Sequence, residues 1–375
     1  MKLSIERAVL LKALGPIQSV VERRGTIPIL ANVKFDAEKK NGLSLTATDM
    51  DIAIVEKVNA HVEEAGAITV PAHMFYEIIR KLPDGSSVAI AKDDKAAKLS
   101  ISAGQSRFSL ATLPTDDFPV MAEGELAHNF TITRAECKAL LEKTRFAIST
   151  EETRYYLNGV YLHAATSAGA PVLRAVATDG HRLARMEVGM PGGAEKIPGV
   201  IIPRKTVGEL YKLLELEEGG DSVNIGLSES KIRFSVGHAV LVSKLIDGAF
   251  PDYERVIPTG NDKIMEVDGK AFAQAVDRVS VITSEKSRGI KLSLSPSKLV
   301  LSASSAEQGT ASEELSVAYG ADAVEIGFNA RYVLDMMGQI EGETAQFVFA
   351  DAASPTIARD PADVGALYVI MPMRV

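Results

Sequence analysis

The densest group of polar side chains in the sequence is the run Thr178–Leu183, which reads TDGHRL. One interpretation is a hydrolase, in which Asp179 orients His181 as a general base and Arg182 binds an anion. A second interpretation is that Asp179 makes hydrogen bonds within a turn, while Gly180, His181, Arg182 and Leu183 form a surface recognition patch. The two interpretations differ in where the Asp179 carboxylate points.

An earlier segment of the chain helps to choose between them. Leu43–Val58 and Leu173–Val188 share Ala-Thr-Asp at an offset of 130 residues, and a third counterpart, Leu299–Thr310, is degenerate. The earlier copy reads Met50-Asp51 where the later copy reads Gly180-His181. Because the shared Thr-Asp belongs to both copies, we assign it to the fold, and only the Gly-His-Arg sequence is special to the later copy.

Two further segments carry candidate binding residues. Arg154-Tyr155-Tyr156-Leu157 could stack on nucleic-acid bases and contact phosphate, or could be edge packing before a strand. The chain ends in Met371-Pro372-Met373-Arg374-Val375, which is either a last strand packed against the core or the lip of an apolar groove.

Most other chemistry is excluded by what the sequence lacks. The single cysteine, Cys137, cannot form a disulfide framework or a multi-cysteine metal site, and the six histidines have no metal-ligand spacing. No phosphate-binding loop, dinucleotide fingerprint or nucleophile elbow occurs. We therefore expect no catalytic residue, no metal and no cofactor.

The composition is that of a folded protein without membrane segments. The chain has 375 residues, of which 46% are hydrophobic and 24% charged. It contains no apolar run of about 18 residues, and Glu6 and Arg7 interrupt any secretory signal. We expect a cytoplasmic protein with no membrane partner.

Strand-then-helix patterns recur three times along the chain. One set is Lys2–Leu14, Asn129–Leu141 and Ile264–Val276, and the other is Val70–Leu82, Ile202–Leu214 and Phe328–Ile340. A period near 130 residues has the size of a domain. The sequence predicts an α+β protein of three similar domains, at 1–126, 127–258 and 259–375, each with two helices and many short antiparallel strands.

Charge is distributed unevenly between these elements. The six repeated helices, with short flanks, carry a net charge of +8 over 71 residues, whereas the whole chain carries −8. A face formed by these helices would attract a polyanion within an otherwise acidic body. The alternative is that Lys and Arg simply favour helix surfaces.

Taken together, these motifs resemble the bacterial DNA polymerase III beta subunit family, the sliding clamps. The residues that carry the resemblance span the chain in order: Pro28–Leu30, Thr46–Asp49, Arg107–Leu110, Asp117–Pro119, Arg154–Gly159, Ala177–Ala184, Ile202–Lys205, Asp247–Tyr253, Asn329–Tyr332 and Met371–Arg374.

The resemblance implies a DNA clamp fold whose helices line the inner face and whose antiparallel sheets lie outside. Two chains would close head to tail into a ring around double-stranded DNA and act as a processivity factor without catalysis. Implied partners are the replicative polymerase alpha subunit, the clamp-loader delta subunit, translesion polymerases and mismatch-repair proteins, all bound through short peptides. The protein would associate with the nucleoid during replication, and a drug-resistant second copy of the clamp would look the same in sequence.

The resemblance also assigns residues to three sites. The peptide pocket would comprise Leu157, Thr178, Gly180, His181, Arg182, Leu183, Pro251, Arg255, Val256, Asn329, Tyr332, Val369, Met371, Pro372, Met373 and Arg374. DNA contacts would come from Arg24, Arg80, Tyr155, Tyr156, Arg204 and Lys205. The dimer interface would place Phe108 of one chain against Val281 and Ile282 of the other.

Two segments depart from the family pattern. Ser354–Ala366 is longer than the connection expected before the last strand and could reshape the pocket rim. Gly309, Thr310 and Ala311 stand where acids that face the partner chain are common, so apolar contacts would carry more of the interface. We expect replacement of both His181 and Arg182 by alanine to weaken peptide binding and to leave the dimer intact.

Overall fold

The computed structural model describes residues 1–22, 26–93, 97–121, 124–216, 220–284 and 288–375. Contacts within these residues divide the chain into two compact units. The first unit comprises Met1–Lys138, Pro191–Pro198 and Lys205–Leu245, and the second comprises Ala139–Met190, Gly199–Arg204 and Ile246–Val375.

The described residues contain six α-helices, and each begins directly after a strand. They are α1 Arg7–Val20, α2 Ala72–Lys81, α3 Arg134–Arg145, α4 Arg204–Glu215, α5 Gly269–Ser280 and α6 Ala330–Met337. Leu10, Leu14 and Ile17 show why α1 forms, because apolar residues at helical spacing are buried on one face. None of these helices combines the length and the apolar composition that crossing a membrane requires.

The strands are short. The first thirteen are β1 Lys2–Glu6, β2 Asn32–Glu38, β3 Gly42–Thr48, β4 Ile52–Val58, β5 His61–Glu64, β6 Gly66–Pro71, β7 Ser87–Asp93, β8 Lys98–Ala103, β9 Ser106–Ala111, β10 His128–Thr133, β11 Gly159–Ser167, β12 Ala170–Thr178 and β13 Arg182–Gly189. The others described are β14 Val200–Pro203, β15 Ser222–Leu227, β16 Lys231–Val236, β17 Ala239–Lys244, β18 Lys263–Asp268, β19 Gly289–Ser295, β20 Lys298–Ser305, β21 Gly309–Ser316, β22 Val324–Asn329, β23 Thr344–Phe349, β24 Thr356–Arg359 and β25 Ala366–Ile370.

The first unit contains two antiparallel sheets. Their strand orders are β5-β1-β7-β8-β9 and β10-β15-β16-β17-β4-β3-β2-β6. In the larger sheet β17 pairs with β4, with Val242 opposite Ala53, so strands from the first and second thirds of the chain share one sheet. The buried alternate residues of β3, Leu43 and Leu45 among them, form its core face.

The second unit repeats this plan. Its sheets have the orders β14-β11-β12-β13-β25-β24-β23-β18 and β21-β20-β19-β22. Here β13 pairs with β25, with Leu183 opposite Val369, and joins strands from the second and last thirds of the chain. The predicted α+β class with antiparallel sheets and the recurring strand-then-helix pattern are confirmed.

The segment Ser354–Ala366, expected to be one long connection, contains a strand of the sheet. Thr356–Arg359 forms β24, which pairs with both β23 and β25. After it, the Asp360 carboxylate accepts hydrogen bonds from the backbone N–H groups of Glu341 and Gly342 at 2.9 and 2.8 Å. Burial alone would raise the pKa of Asp360, but these backbone hydrogen bonds lower it. The expectation of a long loop was therefore wrong.

Candidate functional site

The turn between β12 and β13 is built by Thr178 and Asp179. The Thr178 hydroxyl donates to the Arg182 carbonyl at 2.7 Å and accepts from the Gly180 N–H at 3.1 Å. Asp179 Oδ1 accepts from the backbone N–H groups of His181 and Arg182 at 2.9 and 3.0 Å. These hydrogen bonds commit Asp179 to the turn, as predicted, and not to orienting the His181 imidazole.

The same turn occurs at Thr48–Ile52 in the first unit. Thr48 and Asp49 make the equivalent four hydrogen bonds there, at 2.8 to 3.0 Å. The third turn residue has a left-handed backbone in both copies, with φ +80° at Met50 and +88° at Gly180. Glycine removes the strain that a side chain feels in this conformation. In addition, a Cβ at position 180 would lie 2.5 Å from Arg154 Nη1.

Arg182 is buried, with a relative exposure of 9%. Its guanidinium donates to Asp179 Oδ2 at 3.1 Å, to Asp335 Oδ2 at 2.5 Å and to the Phe146 carbonyl at 2.7 Å. It also lies over the ring of Tyr332, 4.4 Å from the centroid. The buried Arg182 guanidinium therefore links the turn to Asp335 on α6. This differs from our expectation that Arg182 forms part of a surface recognition patch.

His181 is exposed, as is Gly180 before it. Its ring stacks on Tyr332, with centroids 6.2 Å apart, and its carbonyl accepts from the Met371 N–H at 2.9 Å. The Met373 N–H in turn donates to the Gly327 carbonyl at 2.8 Å. The structure thus brings together the predicted residues of the turn, of α6 and of the C-terminal tail.

A compact core lies under these groups. Leu183 and Val369 pack with Val176 and Tyr253, and Phe250 and Ile257 cover them. The segment Pro251–Val256 is anchored through Tyr253, while Pro251 and Arg255 are exposed and Val256 is half-buried. Leu157 is buried and its carbonyl accepts from the Ser149 N–H.

The remaining predicted pocket residues lie at the edge of this region. Asn329 caps α6, because its side chain accepts from the Arg331 N–H at 3.0 Å. Met371, Pro372 and Met373 are half-buried and Arg374 is exposed. An apolar floor with partly exposed methionine, proline and histidine around it suits an apolar peptide anchor.

The predicted DNA-contacting residues fall in different surroundings. Tyr155 is exposed and its ring meets Tyr156 edge to face at 5.8 Å. Arg204 is the exposed first residue of α4. Arg80 pairs with Glu77 at 2.7 Å, and Lys205 pairs with Asp49 at 2.5 Å. Arg24 lies outside the described residues.

Two of the three predicted dimer-interface residues, Phe108 and Val281, are exposed apolar side chains. Phe108 lies on β9, the outermost strand of its sheet, and Val281 follows the end of α5. Ile282 is half-buried next to it. Single exposed apolar side chains are common on protein surfaces, so this exposure is compatible with an interface and does not by itself indicate one.

One groove contains none of the predicted site residues. It has a volume of about 660 Å³ in the first unit, and Val9, Pro16, Leu213 and Glu56 are among the residues that line it. Burial raises the pKa of Glu56 to about 7, and the nearby Lys12 lowers it only in part. This groove was not predicted from the sequence, because its walls come from α1, β4 and α4, which are far apart in the chain.

Comparisons with known proteins match the whole chain. Three family models match in order: the DNA polymerase III beta subunit N-terminal domain at residues 1–122, the central domain at 131–252 and the C-terminal domain at 254–374. The chain is 54% identical to the beta sliding clamp of Caulobacter vibrioides over 375 residues, which is all of both chains. It is 39% identical to that of Escherichia coli over 378 aligned positions, again covering all of both.

Solved structures give the same result. A sliding clamp from Bartonella birtlesii bound to griselimycin superposes with a TM-score of 0.96 at 47% identity, and all of both chains is covered. A Pseudomonas aeruginosa sliding clamp bound to griselimycin superposes with a TM-score of 0.94 at 40% identity, and all of both chains is again covered.

Proposed function

Because this chain belongs to the DNA polymerase III beta subunit family of sliding clamps, non-catalytic processivity factors of the polymerase, we propose that it acts as a head-to-tail homodimeric ring around double-stranded DNA. The observation that carries the proposal is the full-length similarity to beta sliding clamps at up to 54% identity. The domains are proposed at 1–126, 127–258 and 259–375, and the cytoplasm is the proposed location. The hydrolase interpretation is abandoned, since the family is non-catalytic and Asp179 serves the turn.

The partner-binding pocket is proposed around His181. The turn at 180–183, the segment Pro251–Val256, the α6 residues Asn329 and Tyr332 and the tail Val369–Arg374 supply the floor and walls, with Leu157 as a further member. Shared apolar packing and the hydrogen bond from Met371 to His181 support this grouping. Occupants are proposed to be short Gln/Leu/Phe-type peptides from the polymerase alpha subunit, the clamp-loader delta subunit, translesion polymerases and mismatch-repair proteins.

DNA is proposed to be held by charge and by topology. Arg24, Arg80, Tyr155, Tyr156, Arg204 and Lys205 would contact the backbone without reading sequence. Lys205 is paired with Asp49, and Arg80 is paired with Glu77. On binding DNA, each cation would exchange its carboxylate partner for a backbone phosphate. This exchange keeps each contact weak, which permits sliding.

The dimer is proposed to form by pairing two sheet edges. β9 ends the five-stranded sheet and β21 ends the four-stranded sheet, and both strands are largely exposed. An unpaired edge is a template for a strand of another chain. Phe108 on β9 would meet Val281 and Ile282 of the partner, which makes the interface heterologous and allows two copies to close a ring.

Retention on circular DNA tests the function directly. The protein is loaded onto nicked circular DNA by the matched clamp loader with ATP, and the DNA is then cut once. A topologically held ring stays on circles and leaves on linearisation. Protein that remains bound after cutting is held by ordinary affinity, and the ring proposal is then wrong.

Replacing Phe108 by alanine is expected to shift the dimer toward monomer by at least tenfold in dissociation constant. Loss of a buried interface aromatic costs about 2 kcal/mol or more. Sedimentation velocity at low protein concentration measures the shift. Val120→Ala is the matched control, because Val120 is a highly exposed apolar residue outside the proposed interface. Equal profiles for Phe108→Ala and the unmodified protein would refute the assignment.

A further inference from the structure

A buried charge cluster in the second unit lies against the Pro251–Val256 segment, and its members Arg174 and His163 belong to none of the sites above. Arg174 on β12 is only 3% exposed, yet it carries a full charge. Its guanidinium donates to Glu187 at 2.7 Å, to Glu254 at 2.6 Å and to the Tyr253 hydroxyl at 2.7 Å. Because removing an arginine from water is costly, the three acceptors hold it in one place.

The hydrogen bonds continue from Tyr253 to His163 in a fixed direction. His163 Nδ1 lies 2.9 Å from the Ala164 carbonyl, which can only accept, so Nδ1 carries the proton. In the neutral ring Nε2 is then an acceptor, and it lies 2.9 Å from the Tyr253 hydroxyl. The order is therefore Arg174 to Tyr253 to His163, with each group donating to the next.

This chain of hydrogen bonds ends under the proposed peptide pocket. The Tyr253 ring packs with Leu183 and Val369, whose neighbours form the turn and the tail. The Tyr161 ring stacks on His163 on one side, with centroids at 4.6 Å, and on Phe250 on the other, at 4.8 Å. The cluster thus contacts the Pro251–Val256 segment at Tyr253 and Glu254, and also Phe250 directly before it.

We propose that Arg174, Tyr253 and His163 are positioning residues that hold the Pro251–Val256 wall in its peptide-accepting conformation, and that protonation of His163 releases it. The inference rests on the proposed pocket and adds to it a dependence on pH. Pro251 and Arg255 are exposed, so their placement depends on the buried Tyr253 between them.

The effect of protonation follows from the donor and acceptor roles. Protonated His163 has a proton on both ring nitrogens, so Nε2 no longer accepts from the Tyr253 hydroxyl. The new positive charge also faces the Arg174 guanidinium. The carboxylates of Glu187 and Glu254 attract the charge on His163 and offset part of the repulsion from Arg174. Glu187 is also paired with a second cation, Arg185, at 3.3 Å.

The direction of the pH effect follows from burial. Burial lowers the pKa of His163 below its usual value, with the Arg174 charge contributing to the same direction. The neutral, accepting form therefore predominates at pH 7. Peptide affinity is lost as the pH falls through the His163 pKa, which lies below the usual value for histidine.

The test measures binding of a fluorescein-labelled Gln/Leu/Phe-type peptide to full-length protein by fluorescence anisotropy between pH 5 and 8. Tyr253→Phe keeps the ring and removes the hydroxyl, and we expect at least fivefold weaker binding at pH 7.5. The ratio of its affinity to that of the unmodified protein should approach one as the pH falls through the His163 pKa, because the unmodified protein then also lacks the hydrogen bond from Tyr253 to His163. Because the two proteins differ only at residue 253, that ratio reports on the Tyr253 hydroxyl.

Two further variants separate positioning from general stability. His163→Gln keeps an acceptor but does not titrate, so it should bind normally at pH 7.5 and keep its affinity at pH 5.5. Tyr319→Phe removes another buried hydroxyl, which donates to the Asp322 carbonyl, and should leave binding unchanged. An unchanged affinity in Tyr253→Phe, or an equal loss in Tyr319→Phe, overturns the inference. Absence of peptide binding by the unmodified protein overturns the pocket proposal itself.

Discussion

Replacing Arg182 by alanine is expected to lower the free energy of unfolding by about 3 kcal/mol, because it removes a buried guanidinium and leaves partly buried carboxylate and carbonyl acceptors without their donor. The guanidinium serves Asp179, Asp335 and the Phe146 carbonyl together. It also lies on the faces of Tyr332 and Phe146, and these cation–π contacts would be lost. Asp335 is 33% exposed and regains water, which keeps the loss at the lower end of the range for buried pairs.

Urea denaturation followed by circular dichroism measures this loss. Arg255→Ala is the matched control, since the Arg255 side chain is 84% exposed and its partner Asp252 is also exposed. We expect the control to change stability by less than about 0.5 kcal/mol. If both variants unfold at the same urea concentration, Arg182 does not hold the turn to α6.

This expectation changes how the pocket should be tested. A variant lacking both His181 and Arg182 would lose peptide binding through the fold as well as through contact. His181→Ala alone removes an exposed ring that stacks on Tyr332 and leaves the Arg182 hydrogen bonds in place. The single variant therefore reports on peptide contact, which the double variant cannot do.

Gly327→Ala is expected to weaken peptide binding by at least tenfold. A Cβ at position 327 would lie 2.5 Å from the Met373 carbonyl oxygen and 2.5 Å from Val375 Cγ2. Contacts this short are not tolerated in a close-packed region, so the C-terminal tail must move away from β22. Because the tail also donates from Met371 to the His181 carbonyl, its displacement opens the proposed pocket.

Fluorescence anisotropy with the labelled peptide measures the effect, and thermal denaturation shows that the variant is folded. Gly320→Ala is the matched control, because nothing lies within 4 Å of a Cβ at that position. A Gly327→Ala protein that binds the peptide as tightly as the Gly320→Ala protein would show that the tail does not form part of the pocket.

The features predictable from sequence are those encoded by neighbours in the chain. The strand-then-helix repeats follow from apolar spacing, as at Leu10, Leu14 and Ile17 in α1. The turn role of Asp179 follows from its shared motif with Asp49, because the hydrogen bonds reach only two or three residues along the chain. The four-residue strand β24 was missed, since Thr356–Arg359 is too short to show a period.

Residue types and their order thus determined the α+β class, the threefold repeat and the polar turn, because local hydrogen bonds and side-chain periodicity need no distant partner. Only the tertiary structure decided that Arg182 points inward to Asp335, that β4 pairs with β17, and that Tyr253 joins Arg174 to His163. Each of these contacts joins residues that are far apart in the chain: Tyr253 and Arg174 are separated by 79 positions, Tyr253 and His163 by 90, and Arg182 and Asp335 by 153. The partner of a buried charge is the group that the packed fold places beside it. Which group that is depends on how all the strands pair, and not on residues nearby in the sequence.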